Sequence, residues 1–291
     1  MNLEPITWEK REPIQRLRRQ YGHQAASHAF QSLYLWEKDM GLSVELETDI
    51  FAVKTLQRGE NAWFFPCGSP QAKIDFLKRH LEEDDFLLCY AREEDAAFAQ
   101  VHFPGKFSFE EKLGDGEYLY LRREQTLLDG HPFAKLRGRI HRVSRRLNLE
   151  TQLLTDKNIQ AAMEISAQWS RLSHNSGEEG LKDTEASKRF LSSWDELEAT
   201  GVLILLDGEP YAFAGGFPLG EDVFDMCIAK QKCYPPGLSQ YVKWQFCLSV
   251  PERYTWINGE EDLGIEGLRK MKELMRPADR IRMFEGRIEM G

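Results

Sequence analysis

The sequence predicts a mixed α/β protein built from two domains. The chain has 291 residues, which is more than one average domain holds. Its second half alternates between helical and strand patterns, and its first half contains the same two patterns in a less regular order. We therefore expect an N-terminal domain over residues 1–148, which ends in a basic helix at 131–148, and a C-terminal domain over residues 149–291.

The hydrophobic periodicity of the chain predicts helices and strands in both halves. In the first half, helices are expected at 25–38, 71–82 and 93–101, a strand hairpin at 44–56, and strands at 62–66, 86–90, 107–112 and 118–121. In the second half, helices are expected at 156–171, 184–199, 237–250 and 264–275, strands at 201–206, 211–217, 223–230, 254–258 and 280–289, and a loop at 173–182. The dipeptide Asp207-Gly208 is a strong signal for a hairpin turn between two of those strands.

The element order of the second half, α-α-β-β-β-α-β-α-β, is similar to that of the GNAT-like acyltransferase fold. In that fold the sheet splays between its fourth and fifth strands and holds an acyl donor there, and here those strands are 223–230 and 254–258. The helix between them is expected to begin at Gly237, and a helix N-terminus suits a phosphate. Segment 232–237 lacks the glycine-rich loop of coenzyme A enzymes. The first half has the size of a degenerate second copy, so two tandem GNAT-like domains are expected.

Residues 254–272 form the most informative stretch, because a short strand, an acidic turn and a helix follow one another there. Loops at strand ends are favoured places for binding groups. The turn contains four polar residues, and two cations follow in the helix: Asn258, Glu260, Glu261, Asp262, Arg269 and Lys272. The alternative is a structural role, in which Asp262 caps the N-terminus of the helix.

The segment 131–148 contains six Lys or Arg residues and no acid. Four of them fall on one narrow helical stripe and are called the basic stripe: Lys135, Arg139, Arg142 and Arg146. Apolar residues form a second stripe about a quarter-turn away. Because like charges repel along a helix, either acids of the same chain or an anionic ligand should lie near the basic stripe. Both alternatives remain open, and the ligand would be a phosphate-bearing molecule or a nucleic acid such as tRNA.

Bulk composition excludes several other classes of function. The formal net charge is −9, which gives no general attraction for nucleic acid or anionic lipid. No apolar run is long enough for a transmembrane segment, and the start of the chain has no apolar signal core. The five cysteines lack the spacing of zinc or redox motifs, and the histidines form no paired-ligand pattern, so no bound metal is expected. A cytoplasmic protein with reduced thiols is expected.

Residues 27–36, 130–142 and 258–272, together with Pro277, resemble one known family. They are similar to the stand-alone bacterial proteins related to the C-terminal domain of phosphatidylglycerol lysyltransferase. The most specific part is the run Asp262-Leu-Gly-Ile-Glu-Gly-Leu-Arg-Lys270. The resemblance implies two tandem acyltransferase-type domains. It also implies a relation to enzymes that move an aminoacyl group from tRNA onto a lipid head group or, in Fem-type enzymes, onto a peptide amine.

These observations together predict an acyl- or aminoacyl-transferase that acts on an amine or hydroxyl acceptor. Aminoacyl-tRNA or acyl-CoA is the expected co-substrate, no cofactor is expected to be bound permanently, and a lipid head group or peptide is the expected acceptor. The residues expected to be catalytic are Glu261, Asp262 and Lys230; those expected to bind ligand are Asn258, Gly237, Arg269, Lys135, Arg139 and Arg142. For Lys230 the alternative is a solvated strand end. The alternative function is a non-catalytic module that binds a phosphate-bearing ligand in a GNAT-like cleft.

Overall fold

The structure is a computed structural model that describes residues 3–59, 61–83, 85–175, 183–233 and 235–289. The chain forms two compact units: unit 1 comprises residues 1–117 and 281–291, and unit 2 comprises residues 118–280. The boundary predicted at 148–149 therefore does not separate the two units. The physical reason is the apolar edge of the basic helix, where Leu136, Ile140 and Val143 are buried in the core of unit 2.

The mixed α/β class is confirmed by the elements of the chain. The helices are α1 (Arg11–Gln20), α2 (Phe30–Trp36), α3 (Pro70–His80), α4 (Glu93–His102), α5 (Arg122–Leu127), α6 (Ala134–Arg146), α7 (Ile159–Asn175), α8 (Thr184–Ser192), α9 (Leu238–Ser249) and α10 (Glu266–Leu274). The strands are β1 (Ser43–Leu46), β2 (Ile50–Thr55), β3 (Ala62–Phe64), β4 (Cys67–Gly68), β5 (Leu87–Arg92), β6 (Phe107–Glu111), β7 (Glu117–Leu121), β8 (Leu149–Leu153), β9 (Thr200–Leu206), β10 (Glu209–Gly216), β11 (Val223–Asp225), β12 (Ile228–Gln231), β13 (Trp256–Asn258), β14 (Asp279–Ile281) and β15 (Met283–Ile288). Of the described helices, none has the length and apolar character needed to cross a membrane.

Unit 1 is built on one mixed sheet in the order β1-β2-β3-β5-β15-β6, with β4 paired to β2. Strands β3 and β5 run parallel, and the end of the chain returns as β15 between β5 and β6. The helix predicted at 25–38 is wrong in its first part, where a 3-10 turn at Ala26–His28 precedes α2. The buried carboxylate of Glu117 causes this break, because it accepts hydrogen bonds from the backbone N–H groups of Ala26 and Ser27 at 2.9 and 3.2 Å.

Unit 2 contains two four-stranded sheets, in the orders β12-β10-β9-β8 and β11-β13-β7-β14. The predicted hairpin turn is confirmed, because Asp207 and Gly208 both have positive φ and join β9 to β10. Helices α6 and α9 pack into the same apolar core, which includes Leu136, Ile140, Leu238 and Val242. The loop predicted at 173–182 begins within α7, and its residues 176–182 lie outside the described residues.

The single strand predicted over 223–230 is two strands in different sheets. β11 pairs in parallel with β13, whereas β12 pairs with β10. Gly216, at the end of β10, lets the backbone at Asp225 lie directly against β10 where the strand changes partner. Any larger residue would clash there, since a Cβ at position 216 would lie 1.8 Å from the carbonyl oxygen of Asp225. The helix predicted at 264–275 begins two residues later, because Gly264 has a φ of +75°. The helix predicted at 184–199 ends at Ser192.

Candidate functional site

The two parallel strands of unit 2 part at their carboxyl ends. Their register aligns Val223 with Trp256 and Asp225 with Asn258, and the N–H of Met226 still donates to the carbonyl of Asn258 at 2.8 Å. Beyond this point the chain after β11 joins the other sheet, while the chain after β13 turns towards α10. The carboxyl ends of parallel strands that part are preferred positions for ligands in α/β proteins.

Polar side chains gather at this point and are called the strand-end cluster: Asn258, Glu260, Glu261, Asp262, Lys243 and Lys272. The side-chain oxygen of Asn258, which is fully buried, accepts the N–H of Glu260 at 2.7 Å. This bond holds Glu260 at a φ of +56°, so the chain turns sharply directly after β13. Gly259 fits here because a Cβ would lie 2.6 Å from the ring of Tyr120. The expected amide-binding role of Asn258 stays a prediction, since its oxygen already holds the turn.

Asp262 is the most strongly held acid of the cluster. Its carboxylate is fully buried and accepts hydrogen bonds from the Tyr118 hydroxyl at 2.5 Å, from Arg269 at 2.9 and 3.0 Å, and from the N–H of Gly264 at 2.9 Å. Burial opposes ionisation, but the bonds from Arg269, Tyr118 and Gly264 outweigh it and lower the pKa of Asp262. A carboxylate that is saturated with donors is a better anchor than base.

This geometry also changes the expectations for its neighbours. Asp262 does not cap α10, because the residue at the N-cap position is Ile265. Arg269 pairs with Asp262 and its side chain is 35% exposed, so its expected role in ligand binding stays a prediction. Tyr118 completes the arrangement, with its ring beneath the guanidinium of Arg280 at 4.1 Å. Burial and the bond to Asp262 raise the pKa of Tyr118 to about 12.

Lys272, on helix α10, bonds to the backbone of the turn that follows the carboxyl end of β13. Its amine is buried and donates to the carbonyl of Gly259 and to that of Glu260, the latter at 3.4 Å. Loss of hydration lowers the pKa of Lys272, while the negative charges of Glu260 and Glu261 oppose that shift. Glu261 is half-buried beside this lysine, and its expected role as a base remains a prediction.

Lys243, on α9, is a member of the cluster that the sequence pattern did not reveal. It is half-buried, and burial followed by repulsion from Lys272 lowers the pKa of Lys243 to about 7. Among the described residues its amine has neither a hydrogen bond nor an ion pair. It shares a helix face with the buried residues Gln240 and Cys247, so its spacing is that of a core position.

Lys230 and Gly237 occupy different places from those expected. Lys230 is buried on β12, where its amine pairs with Asp183 at 2.8 Å and lies 3.9 Å from the ring centroid of Trp169, so it is not a solvated strand end. Gly237 has a φ of +97°, and a Cβ there would lie 2.7 Å from the carbonyl oxygen of Arg139. The close approach of α6 therefore accounts for this glycine.

The basic stripe lies on the exposed face of α6. All four of its residues are exposed, while Leu136, Ile140 and Val143 on the other face are buried. Within the part of the chain that the structure describes, none of the four pairs with an acid. The alternative of neutralisation by the chain's own carboxylates thus finds no support in the described residues.

A groove of about 970 Å³ lies at the other end of β13, away from the strand-end cluster. Its lining is mixed, with Leu121, Phe133 and Tyr254 beside Arg123 and Glu252. Thr255, which directly precedes β13, also lines this groove. The groove and the cluster therefore lie at opposite ends of one short strand, and the convergent polar groups are at the cluster.

The fold, with a polar cluster where two parallel strands part and a helix between them, is of the aminoacyl-transferase type. The chain belongs to the family described as phosphatidylglycerol lysyltransferase, C-terminal, whose model matches residues 18–284. No curated protein matches the chain.

The solved structures that resemble nearly the whole chain include the following three. A conserved protein of unknown function from Bacteroides thetaiotaomicron is 24% identical with a TM-score of 0.88, and the match covers 99% of this chain and 100% of that one. The C-terminal domain of an Agrobacterium fabrum protein described as a putative lysylphosphatidylglycerol synthetase is 14% identical with a TM-score of 0.68, over 97% and 92% of the chains. L-PGS from Bacillus licheniformis is 16% identical with a TM-score of 0.63, also over 97% and 92%. At these identities the likeness establishes the fold.

Proposed function

We propose that unit 2 is an acyl- or aminoacyl-transferase centre located at the strand-end cluster. It moves an activated acyl group from a donor, aminoacyl-tRNA or acyl-CoA, to an amine or hydroxyl acceptor. The observation that supports this most directly is the gathering of two buried or half-buried lysines and several carboxylates where β11 and β13 part. Membership of a family named for lysyl transfer supports the same class of reaction.

The chemistry requires little more than alignment and a proton acceptor, because the acyl ester or thioester is already activated. The acceptor's lone pair attacks the acyl carbonyl, its proton passes to a base, and the ester or thioester bond breaks as the leaving hydroxyl or thiol takes up a proton. Glu261 is one proposed base. Lys243 is a second, because a group with a pKa near the working pH is best suited to accept a proton.

Of the two donors, aminoacyl-tRNA fits better. The basic stripe offers four exposed cations that pair with no acid in the described residues, and such cations suit a phosphate backbone. Segment 232–237, before the start of α9, lacks the glycine-rich loop with which coenzyme A enzymes hold a pyrophosphate. For the acceptor, the family's name favours a lipid head group, and a peptide amine is the second choice.

We further propose that unit 1 has the same acyltransferase-type fold as unit 2. In unit 2, β11 lies parallel to β13, β12 pairs elsewhere with β10, and α9 connects them. In unit 1, β3 lies parallel to β5, β4 pairs with β2 but not with β5, and α3 connects β4 to β5. The recurrence of this arrangement, with a helix after the last strand in each case, supports a tandem origin.

The test is a transfer assay on the full chain with radiolabelled aminoacyl-tRNAs and acetyl-CoA as donors. Phosphatidylglycerol vesicles and a peptide amine serve as acceptors. Glu261→Gln should reduce turnover by about 10²-fold, the scale of general-base catalysis. Glu266→Gln, an exposed change on α10, is the matched control and should leave turnover unchanged. Absence of turnover with every donor and acceptor, together with retained tRNA binding, would support the non-catalytic module instead.

A further inference from the structure

Unit 1 contains a buried basic cluster that the proposed transfer reaction does not use. It lies at the carboxyl ends of the parallel strands β3 and β5, beside the starts of α3 and α4, which have 11 and 10 residues. Its members come from four separate segments and are called the histidine cluster: Arg18, His23, His28, Lys73, Arg92 and Asp95. The carboxyl ends of parallel strands and the N-termini of helices are both favourable places for an anion.

The ring of His28 is held by hydrogen bonds and is uncharged. One ring nitrogen, Nε2, donates to the carbonyl of Phe65 at 2.8 Å, so Nδ1 accepts from the hydroxyl of Ser27 at 3.1 Å. Burial lowers the pKa of His28 to about 3. Its ring stacks on that of His23 with a centroid distance of 3.9 Å, which fixes the second imidazole in place.

His23 is the unexplained member of the cluster. It is 4% exposed, and neither ring nitrogen has a hydrogen-bond partner among the described residues. Its Nε2 lies 4.0 Å from Asp95 Oδ2, which is beyond hydrogen-bond distance. A buried imidazole normally has a partner for at least one nitrogen, so a bound molecule is the natural explanation for this one.

The charges around His23 show which kind of molecule would fit. Asp95 already accepts from the side chain of Arg92 at 2.8 and 3.2 Å and from its backbone N–H at 3.1 Å. The ammonium of Lys73 lies 4.0 Å from the ring centroid of Phe98 and has no ion pair within the described residues. Three cations, Arg18, Lys73 and Arg92, thus act on His23. Two carboxylates offset them, both through Arg92: the buried Asp95 and the exposed Glu94, whose oxygen lies 2.7 Å from the Arg92 guanidinium.

The same positive charges make a metal ion a poor occupant. They repel a cation, and in the described part of the chain no group of His, Cys, Asp or Glu is arranged to hold one. Burial lowers the pKa of Lys73, and burial together with neighbouring positive charge lowers the pKa of His23. An anion at this place would reverse both effects and would supply the acceptor that the His23 ring lacks.

We propose that unit 1 binds a small tetrahedral oxyanion, inorganic phosphate or the phosphate of a monoester, between His23, Lys73 and Arg92. Such a ligand would accept from one His23 nitrogen and from the Lys73 ammonium. Charge-assisted hydrogen bonds of this kind are the strong ones. This site is independent of the proposed transfer reaction in unit 2, because it requires neither donor nor acceptor turnover.

Isothermal titration of the full chain with inorganic phosphate, at constant ionic strength in chloride, tests the proposal. Lys73→Met should weaken phosphate binding by about tenfold or more. Lys78→Met is the matched control, because Lys78 is exposed on the same helix, and it should bind within about twofold of the unchanged protein. His23→Gln should also weaken binding. If that buried variant does not fold, the pair of lysine variants still decides the question.

A second measurement follows the ring of His23 directly. Nitrogen-15 NMR of the histidine side chains should show a rise of the His23 pKa on addition of phosphate, with His28 unchanged in tautomer. Titrations with glycerol phosphate and with a nucleoside monophosphate identify the source of the phosphate group: the natural class of ligand is the one that binds more tightly. No binding of phosphate at millimolar concentration, equal loss in the two lysine variants, or acetate binding as tightly as phosphate would each overturn the assignment.

Discussion

Asp262→Asn separates the anchoring role of this carboxylate from a catalytic one. The change keeps the size of the side chain but removes the charge that receives bonds from Tyr118, Arg269 and Gly264. Hydrogen bonds to a charged group contribute about 1.5–3 kcal/mol, although the 35% exposure of Arg269 reduces its share. Because Asn keeps one acceptor oxygen, we expect a loss of about 2 kcal/mol of unfolding free energy. For a unit of this size that is about 4–8 °C in Tm.

The stability lost in Asp262→Asn should also depend on pH in a defined direction. The pKa of Asp262 is lower in the folded chain than in an unfolded one, where it is about 3.9. Its charge therefore stabilises the folded state fully above that unfolded value, and the contribution is lost as the pH falls through the folded pKa. The stability difference between the unchanged protein and Asp262→Asn should be constant from about pH 5 to 7 and should shrink below about pH 4.

Denaturant unfolding of unit 2, followed by an intrinsic or attached probe at several pH values, measures this difference. Asp156→Asn is the control, because Asp156 is exposed and changes charge by the same amount. A double-mutant cycle with Arg269→Gln should show non-additive losses, since the two side chains are in contact. If Asp262→Asn were as stable as the control and yet abolished transfer, the anchoring argument would be refuted and Asp262 would be the base.

Three further predictions address the rest of unit 2. Replacing all four residues of the basic stripe by Gln should weaken the salt dependence of tRNA binding. The slope of log binding constant against log salt concentration should become less negative by about 0.7–0.9 for each phosphate that the stripe neutralises. An unchanged slope would mean that the stripe has no nucleic-acid role. Gly237→Ala should lower unfolding free energy by about 2 kcal/mol because of the positive φ and the nearby carbonyl of Arg139, whereas Gly220→Ala, in open space, should be nearly neutral in the same denaturant assay. Lys243 should become reactive to an acylating reagent from about pH 7 upward, with exposed Lys188 as internal reference in the mass spectrum; no labelling until strongly alkaline pH would contradict a lowered pKa.

Local patterns predicted the elements whose packing follows their own periodicity. Helix α6 is the clearest case, because two stripes at helical spacing became one buried and one exposed face. The Asp207-Gly208 turn is another, since its conformation depends on those two residues alone. Predictions failed where a distant residue decides the local structure. Glu117 interrupts the helix expected at 25–38 from 90 and 91 positions away in sequence, and no periodicity within that helix could show it.

The candidate site shows the same limit more sharply, because the chemistry of a charged group depends on its partner. The acidic turn after β13 was visible in the sequence, but the bond between Asp262 and Tyr118 joins residues 144 positions apart. Lys230 was expected to be catalytic or, alternatively, a solvated strand end, and the sequence could not show that Asp183 lies 2.8 Å from its amine. Lys243 has the spacing of a core residue, and its pKa is lowered by its own burial and then by repulsion from Lys272, neither of which the spacing shows.

The two units make a common physical point about where such partners meet. In each unit the strand that follows β11 or β3 along the chain does not continue the parallel pair: β12 pairs with β10 in another sheet, and β4 pairs with β2 in the same sheet as β3. In unit 2 Arg269 and Lys272 bond to the acidic turn, and the amine of Lys243 is left unmatched by any described residue. In unit 1 the ring of His23 and the amine of Lys73 are among the groups that no described residue pairs with. The unmatched donors at Lys243, His23 and Lys73 suit the two ligands proposed above, a carbonyl-bearing acyl group in unit 2 and an oxyanion in unit 1.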